Sequence, residues 1–518
     1  MIHRKLFSKT IKCTGNITIR HYRDETYEVR ERVGPDEILS KVFQNKKIAS
    51  NEDWRKVRSE LLDYDQRRTF TPINIDSSII GFCTKADKHH LATSYYQFLN
   101  DEKIKPNLAT VGKYLKFLYE KNSIESSTSD QTEILSIYKE LRKKYPVLDS
   151  ITLENVIMAL SITNEWKSCE DLLKEIQVTT VGNNAAYSAF ISAAFLNGET
   201  ELAWKYLNEM LEKNRYPKSI IYISYLKSLQ KLRAKASIHG KLEELFTFLK
   251  DHDIRIENDV VKTLEGMSET LKISIKLTNV NTKGACRSCL QQLKKFELTN
   301  EEFEELKDKI LNNIILGKDI FVKTNPQELS RFENFIARKQ KFDVVLDGLN
   351  IAYSVGTRQS PHVFSTLLAN VVKYFVSQNK EVLVLGRVHM NRWPVQTWNY
   401  IKNSATVFLT QNISEDDPYL LYCGLNSGKN TIIVTRDLMR SHRFLLKSVK
   451  HKILFNRWLS QRQHQFLRTD ARGQPVFKYP LPFTPSAQKI ENYWHLPFDE
   501  VENQKQEYIN SWCCVKLE

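Results

Sequence analysis

The chain has 518 residues, 41% of them hydrophobic and 26% charged, and its formal net charge is +15. That length exceeds one ordinary hydrophobic core, so we expect two to four domains of a globular protein. No run of about 18 or more apolar residues occurs, which excludes a conventional membrane-spanning helix. The positive charge favours a polyanionic partner, most simply nucleic acid, although an inert basic surface would give the same balance.

The N-terminal segment, residues 1–24, is basic and has no acidic residue before Asp24. Its cations are interspersed with Ser and Thr: Arg4, Lys5, Lys9, Lys12, Arg20 and Arg23. This composition is typical of a mitochondrial transit peptide and lacks the apolar core of a secretory signal. We therefore predict import into the mitochondrial matrix, with a disordered basic tail as the alternative. Residues 25–84 are polar without clean periodicity and are predicted to be partly disordered.

A helical repeat is visible further along the chain. The segment from Tyr187 to Met210 has the pattern of two amphipathic helices joined at Asn197-Gly198, and the segment from Leu153 repeats that pattern 34 residues earlier. Paired helices at this period predict an α-solenoid, placed at 85–270. Residues that occupy the same positions in pentatricopeptide repeats, an RNA-binding family, are Tyr187, Gly198, Ala203, Met210 and Pro217. A tetratricopeptide-like protein scaffold is the alternative.

Acidic residues follow three strand-like runs in the last third of the chain. Asp347 follows the run 342–346. Asp416 and Asp417 follow the run 406–410, and Asp437 follows the run 431–435. Strands that alternate with helices predict a parallel sheet, whose carboxyl ends meet in one crevice. Four carboxylates there would suit Mg²⁺, with Mn²⁺ as the alternative, and two such ions about 4 Å apart can support phosphodiester cleavage.

Each of these residues also has a structural interpretation. Asp417 precedes Pro418 and Asp437 precedes Leu438, so either could simply cap a helix. His442 is either close to the acidic crevice or a packing histidine. From Lys429 to Arg472, eleven Lys and Arg accompany two acids, which would suit a phosphate-binding wall or a solvated helix face.

Three segments, 347–352, 416–422 and 435–442, together resemble the NYN, PIN-like metallonuclease domain of protein-only ribonuclease P. The order of parts in that family also agrees: pentatricopeptide repeats, a zinc-binding connector, the nuclease, and a C-terminal return to the connector. The resemblance implies a multidomain α+β protein with an α-solenoid, a zinc-binding connector at 271–340 completed by 481–518, and an α/β nuclease domain at 341–480.

The resemblance also implies an activity, the Mg²⁺-dependent removal of 5′ leaders from precursor tRNA that leaves a 5′-phosphate. Residues matching the family's metal-binding aspartates are Asp347, Asp416, Asp417 and Asp437. His442 matches a histidine near the scissile phosphate. With its transit-like N-terminus, the chain is most similar to the animal mitochondrial members. Their enzyme works with a tRNA methyltransferase subunit and a short-chain dehydrogenase subunit, so we expect these partners together with precursor tRNA.

A second metal site is predicted around Cys286 and Cys289, because Cys-x-x-Cys fixes two thiolates at one end of a tetrahedral zinc site. His495 and a cysteine of the pair Cys513-Cys514 could complete it. The resemblance implies two Cys, one His and one further Cys, and it favours Cys514 with Cys513 as the alternate ligand. A buried, unligated cysteine pair is the competing interpretation.

Two other functions remain to be separated from leader removal. The chain could be a non-catalytic pentatricopeptide RNA-binding protein with a degenerate α/β domain, or an endonuclease that acts on another RNA. The complete acidic set argues against the first of these.

Overall fold

The fold is described from a computed structural model. The described residues are 34–44, 46, 48–64, 69–124, 128–180, 182–311, 330–332, 334–335, 341–411, 417–437, 439, 445–446, 448–500 and 511–517. The chain forms two compact units, which divide between Phe117 and Leu118. No helix within these ranges is both long enough and apolar enough to cross a membrane.

Helices also form where the sequence analysis predicted partial disorder. Helices of the first unit are α1 (Pro35–Phe43), α2 (Asn51–Asp63), α3 (Ile75–Lys85), α4 (His89–Asp101) and α5 (Leu108–Ile124), within which the division falls. Helix α2 is strongly charged, yet it buries Trp54, Val57 and Leu61, and a capping box at Ser50 starts it. The prediction for 25–84 was therefore wrong over these helices, because an apolar stripe of three residues is hidden among charges. The predicted transit peptide lies outside the described residues.

The predicted helical repeat is present in the second unit. Its helices are α6 (Thr128–Lys144), α7 (Ser150–Leu160), α8 (Cys169–Thr179), α9 (Asn184–Leu196), α10 (Thr200–Glu212), α11 (Ser219–Ser228), α12 (Lys235–Asp251), α13 (Asn258–Gly266) and α14 (Ser268–Leu271). Helices α7, α9 and α11 begin 34 and then 35 residues apart and pack side by side. Helix α9 is buried on every side from Ala186 to Phe195, and Gly198 turns the chain into α10 with a φ of +84°.

Eleven strands occur in the described residues and form two sheets. They are β1 (Ile256–Glu257), β2 (Ile273–Thr278), β3 (Val344–Asp347), β4 (Val382–Arg387), β5 (Thr406–Thr410), β6 (Ile432–Val434), β7 (Gln463–Thr469), β8 (Pro475–Lys478), β9 (Gln488–Ile490), β10 (Tyr493–Asp499) and β11 (Ser511–Leu517). The smaller sheet has the order β1-β10-β11-β2, and β9 also pairs with β10. The last strands of the chain therefore lie between strands that precede them by more than 200 residues.

The larger sheet has the order β5-β4-β3-β6-β7-β8, and its first five strands are parallel. The helices around this sheet include α15 (Asn300–Ile310), which precedes it, and α16 (Gly348–Ala352), α17 (Pro361–Val376), α18 (Val395–Ser404), α19 (Asp417–Ser427) and α20 (Val449–Arg462). One hydrophobic core packs α16, α17 and α18 on one face of the sheet, and another packs α15, α19 and α20 on the opposite face. The predicted parallel sheet is confirmed.

Strand order reverses at β3, because β4 and β5 follow on one side of it and β6 lies on the other. In open α/β sheets such a switch point leaves a crevice at the carboxyl ends of the two central strands, where functional groups can gather. This places the end of β3 and the end of β6 at the natural position for a site.

Candidate active site and metal centre

One predicted acid, Asp347, ends strand β3, and another, Asp437, follows the adjacent strand β6. Leu346 on β3 pairs with Val434 on β6 in parallel register, so the next residues, Asp347 and Thr435, emerge side by side. Asp437 follows two residues later. The structure thus brings the segments of Asp347 and Asp437 together at the switch point. The sequence analysis predicted that these strand ends share one crevice, but the direct adjacency of β3 and β6 follows only from the strand order.

Both carboxylate oxygens of Asp347 accept hydrogen bonds. Its Oδ1 accepts a hydrogen bond of 3.0 Å from the backbone N–H of Asn350, which caps α16, and its Oδ2 accepts one of 3.0 Å from the hydroxyl of Thr435. A carboxylate offers about four lone-pair positions, so accepting these two bonds does not by itself prevent it from binding a cation. The capping and ligand interpretations of Asp347 are therefore compatible.

Asp437 is exposed and is held by local backbone bonds. Its Oδ1 accepts a bond of 2.6 Å from the N–H of Met439, and its own N–H donates to the Thr435 hydroxyl at 3.1 Å. The neighbouring N–H of Arg436 donates to Oδ1 of Asn350 at 3.0 Å. Thr435 and Asn350 therefore link the two acidic segments. The sequence analysis quoted both residues within motifs but assigned neither a role.

Three of the predicted catalytic residues are less fully placed. Asp417 is the first residue of α19, which follows β5, and its side chain lies outside the description. Asp416 and His442 lie outside the described residues. Their assignment to the site remains a prediction.

Several cations of the basic stretch that begins at Lys429 contact the protein itself. Lys429 binds the Leu298 carbonyl oxygen at 3.1 Å and Lys450 pairs with Glu305 at 2.6 Å. Further internal contacts are made by Arg436 with the carbonyl oxygens of Ser354, Phe466 and Leu467, and by Lys452 with Asn214. These cations fasten the connector, the solenoid and the strand ends to the nuclease sheet, so the charge run overstates the surface available to phosphate.

Gly348 leaves no room for a side chain beneath the acidic end of β3. A Cβ at this position would lie 2.7 Å from the Leu385 carbonyl oxygen on the neighbouring strand. We expect Gly348→Ala to lower the free energy of unfolding by about 1–3 kcal/mol, because backbone must move to admit the methyl group. Urea denaturation would measure this.

The matched control is Gly240→Ala in α12, where nothing lies within 4 Å of the added methyl group. This change should be neutral or stabilising by up to about 1 kcal/mol, since alanine favours helix. Equal midpoints for the Gly348 variant and the wild type would contradict the close approach.

A second cluster brings together one nitrogen and three sulfur ligands. Cys286 Sγ, Cys289 Sγ, a ring nitrogen of His495 and Cys514 Sγ all lie within 4.8 Å of one another. The Cys289 Sγ is 3.1 Å from His495 Nε2. Tetrahedral zinc with bonds of about 2.0–2.3 Å separates its ligand atoms by about 3.3–3.8 Å, so this donor set fits such an ion after small adjustments.

Strand register explains why Cys514 joins the cluster and Cys513 does not. Cys514 on β11 is directly opposite His495 on β10, so the two side chains share one face of the sheet. Successive residues of a strand point to opposite faces, which places Cys513 on the other side, where it is fully buried.

The protonation states of the cluster are compatible with metal binding. Burial lowers the pKa of His495, which keeps its imidazole neutral at pH 7. Burial opposes ionisation of Cys286, but backbone N–H groups of Cys289 and Ser288 outweigh this and lower its pKa. Burial and the adjacent thiols raise the pKa of Cys514. Three thiols in contact can ionise together only if a cation neutralises them.

Comparison with known proteins agrees with this arrangement. The family model for protein-only RNase P matches residues 280–514, which include both the acidic strand ends and all four cluster residues. The mouse protein named mitochondrial ribonuclease P catalytic subunit is 27% identical over 491 residues, covering 92% of this chain and 80% of the mouse protein. The rat protein of the same name is 27% identical over 498 residues, with the same coverage.

Residues 280–514 therefore form a protein-only RNase P domain. Proteinaceous RNase P 2 of Arabidopsis thaliana is a more distant relative, 26% identical over 263 residues and covering 47% of this chain. The crystal structure of the nuclear proteinaceous RNase P 2 from that plant has a TM-score of 0.60, covers 86% of this chain and 99% of that chain, and is 17% identical. This likeness shows that the protein-only RNase P fold extends well beyond the nuclease sheet.

Proposed function

We propose that this chain is a mitochondrial endoribonuclease that removes the 5′ leader of precursor tRNA, as the catalytic subunit of mitochondrial ribonuclease P. The observation that carries the proposal is the coincidence of two acidic strand ends at the switch point with a family match over the same residues. The similarity to the mouse and rat catalytic subunits extends over 92% of the chain, which supports the same activity and the same organelle.

The residues assigned to cleavage are Asp347, Asp416, Asp417, Asp437 and His442. We assign the four aspartates to Mg²⁺, or to Mn²⁺ in its place, and His442 to the neighbourhood of the scissile phosphate. Bound Mg²⁺ would activate a water for attack on the phosphodiester and stabilise the leaving oxygen, so that the tRNA keeps a 5′-phosphate. The described residues hold Asp347 and Asp437 in place through backbone and hydroxyl bonds, which limits the reorganisation required on substrate binding.

The cysteine cluster is assigned a structural role, with Cys286, Cys289, His495 and Cys514 as zinc ligands. All four positions are provided by the protein, and structural zinc sites are closed in this way whereas catalytic zinc sites keep an open position. Such an ion would join the C-terminal strands to the connector at 271–340. The solenoid at 85–270 is proposed to bind the tRNA, and the nuclease domain at 341–480 to cut it.

We further propose the mitochondrial matrix as the compartment and two protein partners, a tRNA methyltransferase subunit and a short-chain dehydrogenase subunit.

The deciding experiment incubates a mitochondrial precursor tRNA with Mg²⁺ and the chain alone, with either partner, or with both. We expect a 5′-leader fragment and a mature tRNA with a 5′-phosphate, at the highest rate when both partners are present. Tight binding of the precursor without cleavage in any of these mixtures would instead indicate a non-catalytic RNA-binding protein.

A further inference from the structure

The hydroxyl of Thr435 lies between the two acidic strand ends. It donates to Oδ2 of Asp347 at 3.0 Å and accepts from the backbone N–H of Asp437 at 3.1 Å. Thr435 is only 1% exposed, so water cannot readily replace either bond. One buried oxygen therefore connects a carboxylate on β3 to the backbone that carries a carboxylate after β6.

The surrounding structure fixes the position of that hydroxyl. Backbone pairing with β3 ends at Val434, and the Thr435 carbonyl oxygen accepts a bond of 2.9 Å from the side chain of Gln463. The next residue, Arg436, is anchored through its N–H to Asn350 and through its guanidinium to the carbonyl oxygens of Phe466 and Leu467. These contacts do not depend on the Thr435 hydroxyl, so the backbone should persist when the hydroxyl is removed.

We propose that Thr435 is a positioning residue that holds Asp347 and Asp437 in the arrangement that binds a divalent cation. A hydroxyl can donate to the carboxylate and accept from the amide at the same time, whereas a methyl group can do neither. Without it, the Asp347 carboxylate loses the bond that holds its Oδ2, and the Asp437 N–H loses its buried acceptor. This inference rests on the proposed function in assigning both aspartates to the cation site.

The test compares two substitutions that differ only in the hydroxyl and the methyl group. Thr435→Val keeps the shape and removes the hydroxyl, while Thr435→Ser keeps the hydroxyl and removes the methyl group. Mn²⁺ binding to the full chain without RNA is measured by electron paramagnetic resonance, and the signal that is missing in Asp347→Asn defines the site. We expect Thr435→Val to weaken Mn²⁺ binding by about tenfold or more, as loss of an outer-shell partner commonly does. The Mn²⁺ affinity of Thr435→Ser should stay within about threefold of the wild-type value.

Cleavage provides a second readout. In the complete complex, Thr435→Val should require a higher Mg²⁺ concentration for half-maximal rate, and added Mg²⁺ should restore much of kcat. Affinity for precursor tRNA, measured in Ca²⁺ to suppress cleavage, should be unchanged. Circular dichroism and the thermal midpoint verify folding, and Thr435→Ala, which adds no atoms, replaces the Val variant if that variant does not fold.

Three outcomes are distinguishable. Wild-type Mn²⁺ affinity in Thr435→Val would overturn the proposal, and so would equal losses in Val and Ser, because packing rather than the hydroxyl would then be responsible. If the Mn²⁺ results follow expectation but the wild-type complex does not cut precursor tRNA, the positioning role stands and the proposed function fails.

Discussion

Asp347→Asn is expected to slow leader cleavage by about 1000-fold, which corresponds to about 4 kcal/mol of lost transition-state stabilisation. The substitution removes one negative charge from the switch point with almost no change in shape. The side-chain oxygen of asparagine can still accept the capping bond that Asn350 donates to Asp347 Oδ1. The fold should therefore survive while the assigned cation site is weakened.

The measurement is single-turnover cleavage of a precursor tRNA by the complete complex at fixed Mg²⁺, together with precursor affinity in Ca²⁺. Affinity should change by no more than about twofold, because phosphate contacts elsewhere dominate binding. A variant that binds normally and does not cut would support the assigned role of Asp347 in the reaction.

The matched control is Asp343→Asn. Asp343 immediately precedes β3, at the opposite end from Asp347, and its carboxylate accepts a bond of 3.0 Å from the Glu381 N–H. Both substitutions remove the same charge at an end of β3, but only Asp347 lies at the carboxyl end. Asp343→Asn should retain nearly all activity. Equal rates for the two variants, whether both fast or both slow, would refute the assigned site.

Cys286→Ser is expected to remove about one equivalent of zinc from the purified chain and to lower the thermal midpoint by about 5 °C or more, since metal binding and folding of such a site are coupled. Cys286 is fully buried within the four-residue cluster. Serine has the size of cysteine but is a poor zinc ligand. Metal analysis and differential scanning calorimetry on the same preparation measure the two effects.

The smaller sheet explains why the loss of zinc should affect more than the four cluster residues. Its strand β10 pairs with β1 from the solenoid end, and Arg255 pairs with Asp499 at 3.2 Å. The connector also contacts the nuclease domain, because Gln461 of α20 donates to the Phe296 carbonyl oxygen at 2.6 Å. Loosening the strands that carry His495 and Cys514 should therefore reduce precursor cleavage as well as stability.

Cys513→Ala and Cys514→Ala form a pair of adjacent variants on one strand. Cys514 faces the cluster and Cys513 faces the opposite side of the sheet. Zinc should be lost from Cys514→Ala and retained by Cys513→Ala, which should show only the modest cost of a small cavity. Zinc retained in Cys514→Ala, or lost from Cys513→Ala, would exclude the assigned fourth ligand.

Local patterns in the sequence were sufficient for much of the architecture. The 34-residue period predicted the paired helices, because each pair must repeat its apolar positions to pack on the next. Short β-branched runs predicted the central strands and, with the acids that follow them, the edge of the sheet where a site should form. The charged helix α2 was missed because its buried stripe of Trp54, Val57 and Leu61 is outnumbered by charged residues.

The cationic stretch shows the limit of counting charges. Lys429, Arg436 and Lys450 all belong to the basic run that suggested a phosphate-binding surface, yet each binds a carbonyl oxygen or carboxylate of the protein. Sequence reports the charge of a side chain but not its partner, because the partners here precede or follow it by tens or hundreds of residues.

The sequence by itself determined which residue types were present for a metallonuclease and a zinc site, and the family resemblance supplied their expected roles. Only the tertiary structure decided which of them are neighbours. Alternation along β11 requires Cys513 and Cys514 to face opposite sides, but pairing with β10 selects Cys514 as the neighbour of His495. Likewise, the placement of β6 beside β3 sets Thr435 between Asp347 and Asp437. Both outcomes depend on strand order and register, which arise from packing between distant segments.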